Sequence, residues 1–521
     1  MAGEGTRTKS ARGALGFRDV TLIRHRRLIL VQGALLVLAG CTVGPNYKKP
    51  LAPSPVSFKE PLPPGWKQAE PGGAFLNGKW WEIYGDPALN VLVEQVSISN
   101  QNVLQAEAQY REAKAAVREA RSSLFPTVSA SIGVTQARAG TNAVNSSAAN
   151  SGTRTSYSLP FNVAWEPDLW GSIRRGVTGN IAIAQATAAE LDNVRLLFQA
   201  ELAQDYFQLH GIDAEAGLLQ QTAASYDEYL TLTRNRFAVG VASDLDVAQA
   251  ESQLYSTQAA LIDLGEQRAQ LEHAIAILIG KPPVELSIQA APLNMPPPPV
   301  PIGLPSDLLE RRPDIASAER RVAAANEQIG IAMAAYYPVL TLSADVGLQA
   351  SSISKWFSWP SRFWSVGPQL SETLFDAGRR RAIVAQQQAA YDSTVAGYRQ
   401  SVLTALQQVE DNLAALRVLA TESDTVQQTI QSADRALNIS SAQYRAGTTS
   451  YLTVITSQAT LLGAQRTAVE LLARRLNASV LLVEALGGGW NSSRLPSRQD
   501  VINTGSGAHT PTAGPSIPPG P

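Results

Sequence analysis

An α+β membrane protein, written as two internal repeats, is the fold that these 521 residues predict. Three observations carry it: a duplicated pattern, strand hairpins with one apolar face, and helical stretches too long for a globular core. The duplication comes first. "FAVGVASDLDVAQAESQL" (Phe237 to Leu254) lines up with "YRAGTTSYLTVITSQATL" (Tyr444 to Leu461), with Gly240 on Gly447, Ser243 on Ser450, Leu245 on Leu452 and Val247 on Val454. "LFPTVSASIGV" (Leu124 to Val134) matches "YYPVLTLSADVGL" (Tyr336 to Leu348), Pro126 on Pro338. "LWGSIRR" (Leu169 to Arg175) matches "LFDAGRR" (Leu374 to Arg380). Three landmarks recur in one order at nearly one spacing.

The elements follow in chain order. Residues 1–40 read as a lipoprotein-type signal peptide: a basic cluster at Arg24, Arg26 and Arg27, a short apolar run from Leu28, and small residues before the chain's one cysteine. The run is shorter than the ~20 residues that span a bilayer. "LAGC", ending at Cys41, resembles the bacterial lipobox, which makes Cys41 the lipidation site and gives the chain an outer-membrane lipid anchor. Residues 41–86 read as an extended N-terminal segment. The first repeat, 87–280, opens as a helix from about Pro87 that Pro126 stops.

At Thr127 the period changes from 3.6 to 2. Val128, Ala130, Ile132 and Val134 alternate with Thr127, Ser129, Ser131 and Gly133. After a Gly/Asn/Ser-rich loop, Tyr157, Leu159, Phe161, Val163 and Trp165 alternate with small or polar residues. The strand hairpin covers about 127–166. Residues 174–238 then read as one helix, ~100 Å long if unbroken. Leu191, Val194, Phe198, Leu202, Tyr206 and Leu209 form a seam of coiled-coil spacing along it. A turn at 239–243, where Gly240 tolerates positive φ, sends the chain back as a second helix. A stiff Pro-rich linker, 281–305, joins the halves. The second repeat, 306–490, has its strand hairpin at about 339–371 and its helical turn at 446–450. Residues 491–521, rich in Gly, Pro, Ser and Thr, read as a disordered tail.

Four strands of about ten residues, apolar on one face and small or polar on the other, carry the pattern of outer-membrane barrels. Four strands cannot enclose a lumen, and open edges cannot face lipid. Copies of the chain must complete the barrel, as a ring of two with eight strands or of three with twelve.

Composition closes other routes. Beyond the signal the chain keeps 36 basic and 42 acidic residues, so nothing neutralises nucleic-acid phosphates. One cysteine excludes disulfides, and four scattered histidines have no ligand spacing, so no metal or cofactor is expected. No phosphate loop or nucleophile motif suggests an enzyme. A lipid-anchored helical scaffold without a pore, and a channel for protein secretion, are the rival readings.

"LLERRPDIASAERRVAAANEQIGIAMAAYYPVLTLSADVGL" (Leu308 to Leu348), "WWEIYGDPALNVLVEQVSISN" (Trp80 to Asn100), "YRAGTTSYLTV" and "ALGGGW" (Ala485 to Trp490) resemble the TolC-like outer-membrane efflux factors, in their NodT-type lipoprotein branch. The resemblance implies a homotrimer with a twelve-stranded β-barrel, four strands per chain, continuing into a long periplasmic α-helical barrel. It implies the exit duct of a tripartite pump, with a periplasmic adaptor (a membrane fusion protein) and an inner-membrane RND-type pump as partners. Carried over, the periplasmic tip that meets the adaptor is Val239, Gly240 and Val241 with Ala446, Gly447 and Thr448. Tyr444 and Asp246 match the latch that keeps the tip closed. Thr453 and Thr456 stand where relatives often carry Asp, which implies a less anionic gate.

Overall fold

A computed structural model of the chain describes Gly3 and residues 42–61, 78–138, 153–300, 302–303 and 305–502. Cys41, most of the signal segment, the loop around residue 145 and residues 503–521 lie outside the described residues. The chain divides into two units. One holds Arg118–Gly179 and Ala325–Ala390 with the segment ending at Tyr47; the other holds Lys48–Val117, Asn180–Ala324 and the chain from Tyr391 onward.

The first unit is built on one antiparallel sheet. Strands β1 (Thr127–Ala130) and β2 (Gly133–Arg138) both pair with β3 (Thr153–Trp165), which pairs with β4 (Val339–Ala350), which pairs with β5 (Arg362–Ser371). The first expected strand is therefore in two pieces, yet its register runs on unchanged, Ala130 opposite Phe161 and Gly133 opposite Ser158. Pro160 explains the gap. Ser131 N–H donates to the Pro160 carbonyl at 3.1 Å, but proline has no N–H to return the bond.

The N-terminal segment is pinned to the chain that follows β3. Val43 N–H donates to the Trp170 carbonyl at 3.0 Å, Arg175 Nε donates to the Val43 carbonyl at 2.6 Å, and Asn326 donates to the Pro45 carbonyl at 3.2 Å. Arg175 also makes a buried ion pair with Glu327 at 2.8 Å. Two glycines allow this approach. Gly44 has φ +101°, and a Cβ there would stand 2.5 Å from the Gly330 Cα, while a Cβ on Gly330 would run into the Arg175 side chain.

The second unit is helical. Helices α1 (Pro87–Ser99) and α2 (Gln101–Ser122) replace the single helix expected there. Asn100 makes the break: it is extended (φ −62°, ψ 126°), its Oδ1 accepts from the N–H groups of Asn102 and Val103, and its Nδ2 donates to the Leu278 carbonyl at 2.8 Å. It thus caps α2 and ties it to the end of the first hairpin. Helices α3 (Ser172–Ala238) and α4 (Asp244–Leu278) form that hairpin. After α5 (Pro313–Ala334), helices α6 (Arg379–Arg445) and α7 (Tyr451–Ala485) form the other. The two halves match in length, with 22, 67 and 35 residues in α2, α3 and α4 and again in α5, α6 and α7. Among the described residues no helix is long and apolar enough to cross a membrane.

Two boundaries differ from expectation. Within 41–86, Trp80–Tyr84 is a 3₁₀ turn that buries both tryptophans; Trp80 Nε1 donates to Gln199, and Tyr84 shares a hydrogen bond with Ser479 at 2.8 Å. The tail is not disordered from 491. Residues 492–494 form a turn, Arg498–Ile502 a short helix with Val501 fully buried, and Gln185 donates to the Pro496 carbonyl at 2.9 Å. Val501, Leu495 packed beside Trp490, and the Gln185 bond hold this stretch despite its polar composition. The linker carries mostly irregular backbone, held at Ile288 and Ala291 by Arg268, Glu272, His210 and Asp213.

Candidate functional site

Two places carry the features from which a function can be argued: the faces of the sheet, and the paired turns at the hairpin ends.

The register sorts the sheet residues onto faces. Val128, Phe161, Val163, Ala344, Val346, Trp364 and Val366 share one face, through the pairs Val128–Val163, Phe161–Val346, Val163–Ala344, Ala344–Val366 and Val346–Trp364. That face is apolar and exposed: Val128, Val134, Trp364, Val366 and Leu370 are between 61 and 78% accessible. The opposite face carries Ser129, Asn162, Asp345 and Ser365, with Asp345 accepting from Ser365 Oγ at 3.0 Å. An apolar sheet face left this accessible departs from a soluble protein's order. Within the described chain the outer edges of β1, β2 and β5 have no strand partner.

The turns are close copies of one another. Gly240 (φ +75°) donates to the Phe237 carbonyl and Val241 N–H to the Arg236 carbonyl; Gly447 (φ +77°) donates to Tyr444 and Thr448 N–H to Gln443. Both end a long helix with a left-handed glycine that satisfies its last carbonyls. Val239, Val241, Ala446 and Thr448 are exposed, and Leu245 and Leu452 add further exposed apolar surface.

Behind the turns the hairpins are joined by tyrosines. Tyr226, Leu230, Ala250, Leu254, Tyr444, Tyr451 and Val454 form one buried cluster. Tyr444, 4% exposed, shares a hydrogen bond with Thr233 at 3.1 Å, and Tyr229 donates to Ser441 Oγ at 2.7 Å. Arg236 reaches from the last turn of α3 to the end of α6. Its Nη1 donates to the Tyr444 carbonyl at 2.7 Å, its Nη2 to the Arg445 carbonyl at 2.8 Å, and its guanidinium lies 4.5 Å over the Tyr444 ring. Burial pushes the Tyr451 phenol up, and among the described residues its hydroxyl has no hydrogen-bond partner.

The named gate residues fall in different surroundings. Asp246 closes a capping box: Ser243 N–H and Oγ both donate to its carboxylate, at 2.9 and 2.8 Å. Within one chain it does not meet Tyr444. Thr453 is exposed and accepts from Thr449 Oγ1; Thr456, also exposed, donates back to the Leu452 carbonyl. Arg236, Thr233, Tyr229 and Ser441 escaped the sequence reading. Arg236 had a signal, a cation in the last helical turn before a glycine.

Comparison with known proteins agrees with this geometry. Residues 92–281 and 304–488 match the family described as outer membrane efflux protein. The chain is 31% identical over 452 residues to the pyoverdine export outer membrane protein OpmQ of Pseudomonas aeruginosa, covering 85% of this chain and 94% of that protein. It is 30% identical over 471 residues to the probable efflux pump outer membrane protein TtgC of Pseudomonas putida, covering 89% and 96%. The solved outer-membrane channel OprN superimposes with a TM-score of 0.79 at 30% identity, over 86% of this chain and all of that one. The chain belongs to the outer membrane efflux protein family, whose members are efflux channels of the outer membrane and not enzymes.

Proposed function

We propose that three copies of this chain form the exit duct of a tripartite efflux pump, conducting substrates passively from a periplasmic adaptor and an RND-type inner-membrane pump to the exterior. The sheet carries the reading: an exposed apolar face, a polar opposite face and two open edges within one chain. Joining the β5 edge of one copy to the β1–β2 edge of the next removes every edge. A ring of three has twelve strands and leaves a lumen, whereas a ring of two has eight and fills itself with side chains. Likeness to the channel OprN favours the lumen.

The helical hairpins line the periplasmic conduit, and their turns form its closed tip. Exposed Val239, Val241, Ala446 and Thr448, with Gly240 and Gly447 shaping the turns, meet the adaptor. At rest, Tyr444 holds the hairpins together with Thr233 and Arg236, and Asp246, Thr453 and Thr456 face the constriction. Adaptor binding loosens these contacts. Cys41 carries the acyl anchor.

Conductance of the purified protein in planar bilayers tests the reading. Wild type should insert as a mostly closed channel, and Asp246→Ala combined with Tyr444→Phe should raise its conductance several-fold. Absence of any channel, in wild type and variant alike, would contradict the duct.

A further inference from the structure

The end of the sheet away from the long helices has a chemistry of its own. The chain enters and leaves the sheet at Thr127, Trp165, Val339 and Ser371, next to helical segments; the other end is joined only through residues 139–152 and 351–361. If the sheet is the wall of an outer-membrane barrel, as proposed above and on which this inference rests, that second end faces outward.

The apolar face stops there in cations. From Leu340 to Ala350 is about 34 Å along the strand, or about 25 Å of height at the usual barrel tilt, the height of a membrane's apolar band. Arg362 stands opposite Leu348 on that face, near the top of the band. Arg138, at the same end of β2, alternates onto the same face as Val134. Lys355 lies in the segment between β4 and β5, and Trp356 beside it packs on Tyr157 of the apolar face at 5.6 Å. That segment therefore folds over the lipid side. It exposes Ile353, Phe357 and Trp359, the last 74% accessible, and the Arg362 guanidinium sits 3.5 Å over the Trp359 ring. Neither 127–165 nor 346–371 contains an Asp or Glu. Three cations per chain and a group of exposed aromatic rings thus share one rim.

We infer that this rim binds the phosphate groups of lipids in the outer leaflet. Aromatic side chains favour the boundary between headgroups and acyl chains, and clustered Arg and Lys attract anionic headgroups. A free phosphate would meet the cations but leave Phe357, Trp359 and Ile353 facing water. A phosphorylated lipid covers both. Ring closure sets Lys355 and Arg362 of one copy toward Arg138 of the next, so adjoining chains share each headgroup.

Delipidated full-length protein, titrated with diphosphorylated lipid A, its monophosphorylated form and inorganic phosphate and followed by native mass spectrometry, tests this. Wild type should retain diphosphorylated lipid A most tightly and the monophosphorylated form less. The combined variant Arg138→Gln, Lys355→Gln, Arg362→Gln should bind roughly tenfold more weakly or worse. Arg154→Gln, on the opposite face of β3, should bind as wild type does. Equal retention by the triple variant, an equal loss with Arg154→Gln, or full displacement by millimolar phosphate would overturn the inference. Conductance on the same samples separates the two readings: conducting channels with unaltered lipid retention sink only the rim, and a wild type that never conducts sinks the duct and the rim with it.

Discussion

Arg236 binds the carbonyls of Tyr444 and Arg445, at the end of α6, where a helix has no further N–H groups to offer. A cation there is also favoured by the helix dipole. Arg236→Gln should loosen α6 near its end, costing about 1–2 kcal/mol locally after solvent screening. Hydrogen exchange read over residues 439–447 should speed up about tenfold with other helices unchanged; no change would deny the clasp. Glu484 gives a second test at this scale. Burial pushes its carboxyl up to about 7, against the pull of Arg312, and Asp205 goes the same way, to about 6. The folded protein therefore holds protons that the unfolded chain releases near the ordinary carboxylate range. Stability from these groups is full at low pH and falls as pH rises toward 7. The thermal midpoint should drop between pH 5 and pH 8, and Glu484→Gln should leave only the shallower share due to Asp205. A slope unaltered by the variant would contradict the assignment. Gly240 and Gly447 were readable from sequence because a helix-ending glycine has a distinct signature. The cation before Gly240 marked Arg236 as a helix-end residue but not as a clasp, because an arginine in a helical charge pattern looks the same whether it meets water or a distant carbonyl.

Elements were legible where periodicity is strong and hidden where one side chain interrupts it. The two 67-residue helices and the strand alternation follow from spacing alone. The break at Asn100 does not, because its cause is a bond to Leu278, far along the chain. Asn100→Ala removes that bond and the α2 cap together, at about 1–3 kcal/mol; calorimetry should show a lower midpoint, and an unchanged one would refute the capping role. The gap between β1 and β2 was hidden for a similar reason, since Pro160 lies on the partner strand. The docked segment at 42–47 rests on the approach of Gly44 to Gly330. Gly330→Ala should displace Arg175 and free that segment, seen as faster protease cleavage within residues 42–61. Equal cleavage of the variant and wild type would remove the glycine contact from the account.

For the whole molecule, sequence alternation decides which face of the sheet is dry, but the number of copies that close the ring is not written in any single strand. Ring size depends on tilt and stagger between copies, which only pairing across the open edges fixes. The account therefore turns on β5 of one copy meeting β1 or β2 of the next. Single cysteines placed along Thr127–Ala130 and along Ser365–Ser371, combined pairwise and oxidised in the membrane, measure this directly. The account predicts at least one pair that yields covalent species ending at three copies on a non-reducing gel. Cross-links that never join two chains, or that climb past three without stopping, would contradict it.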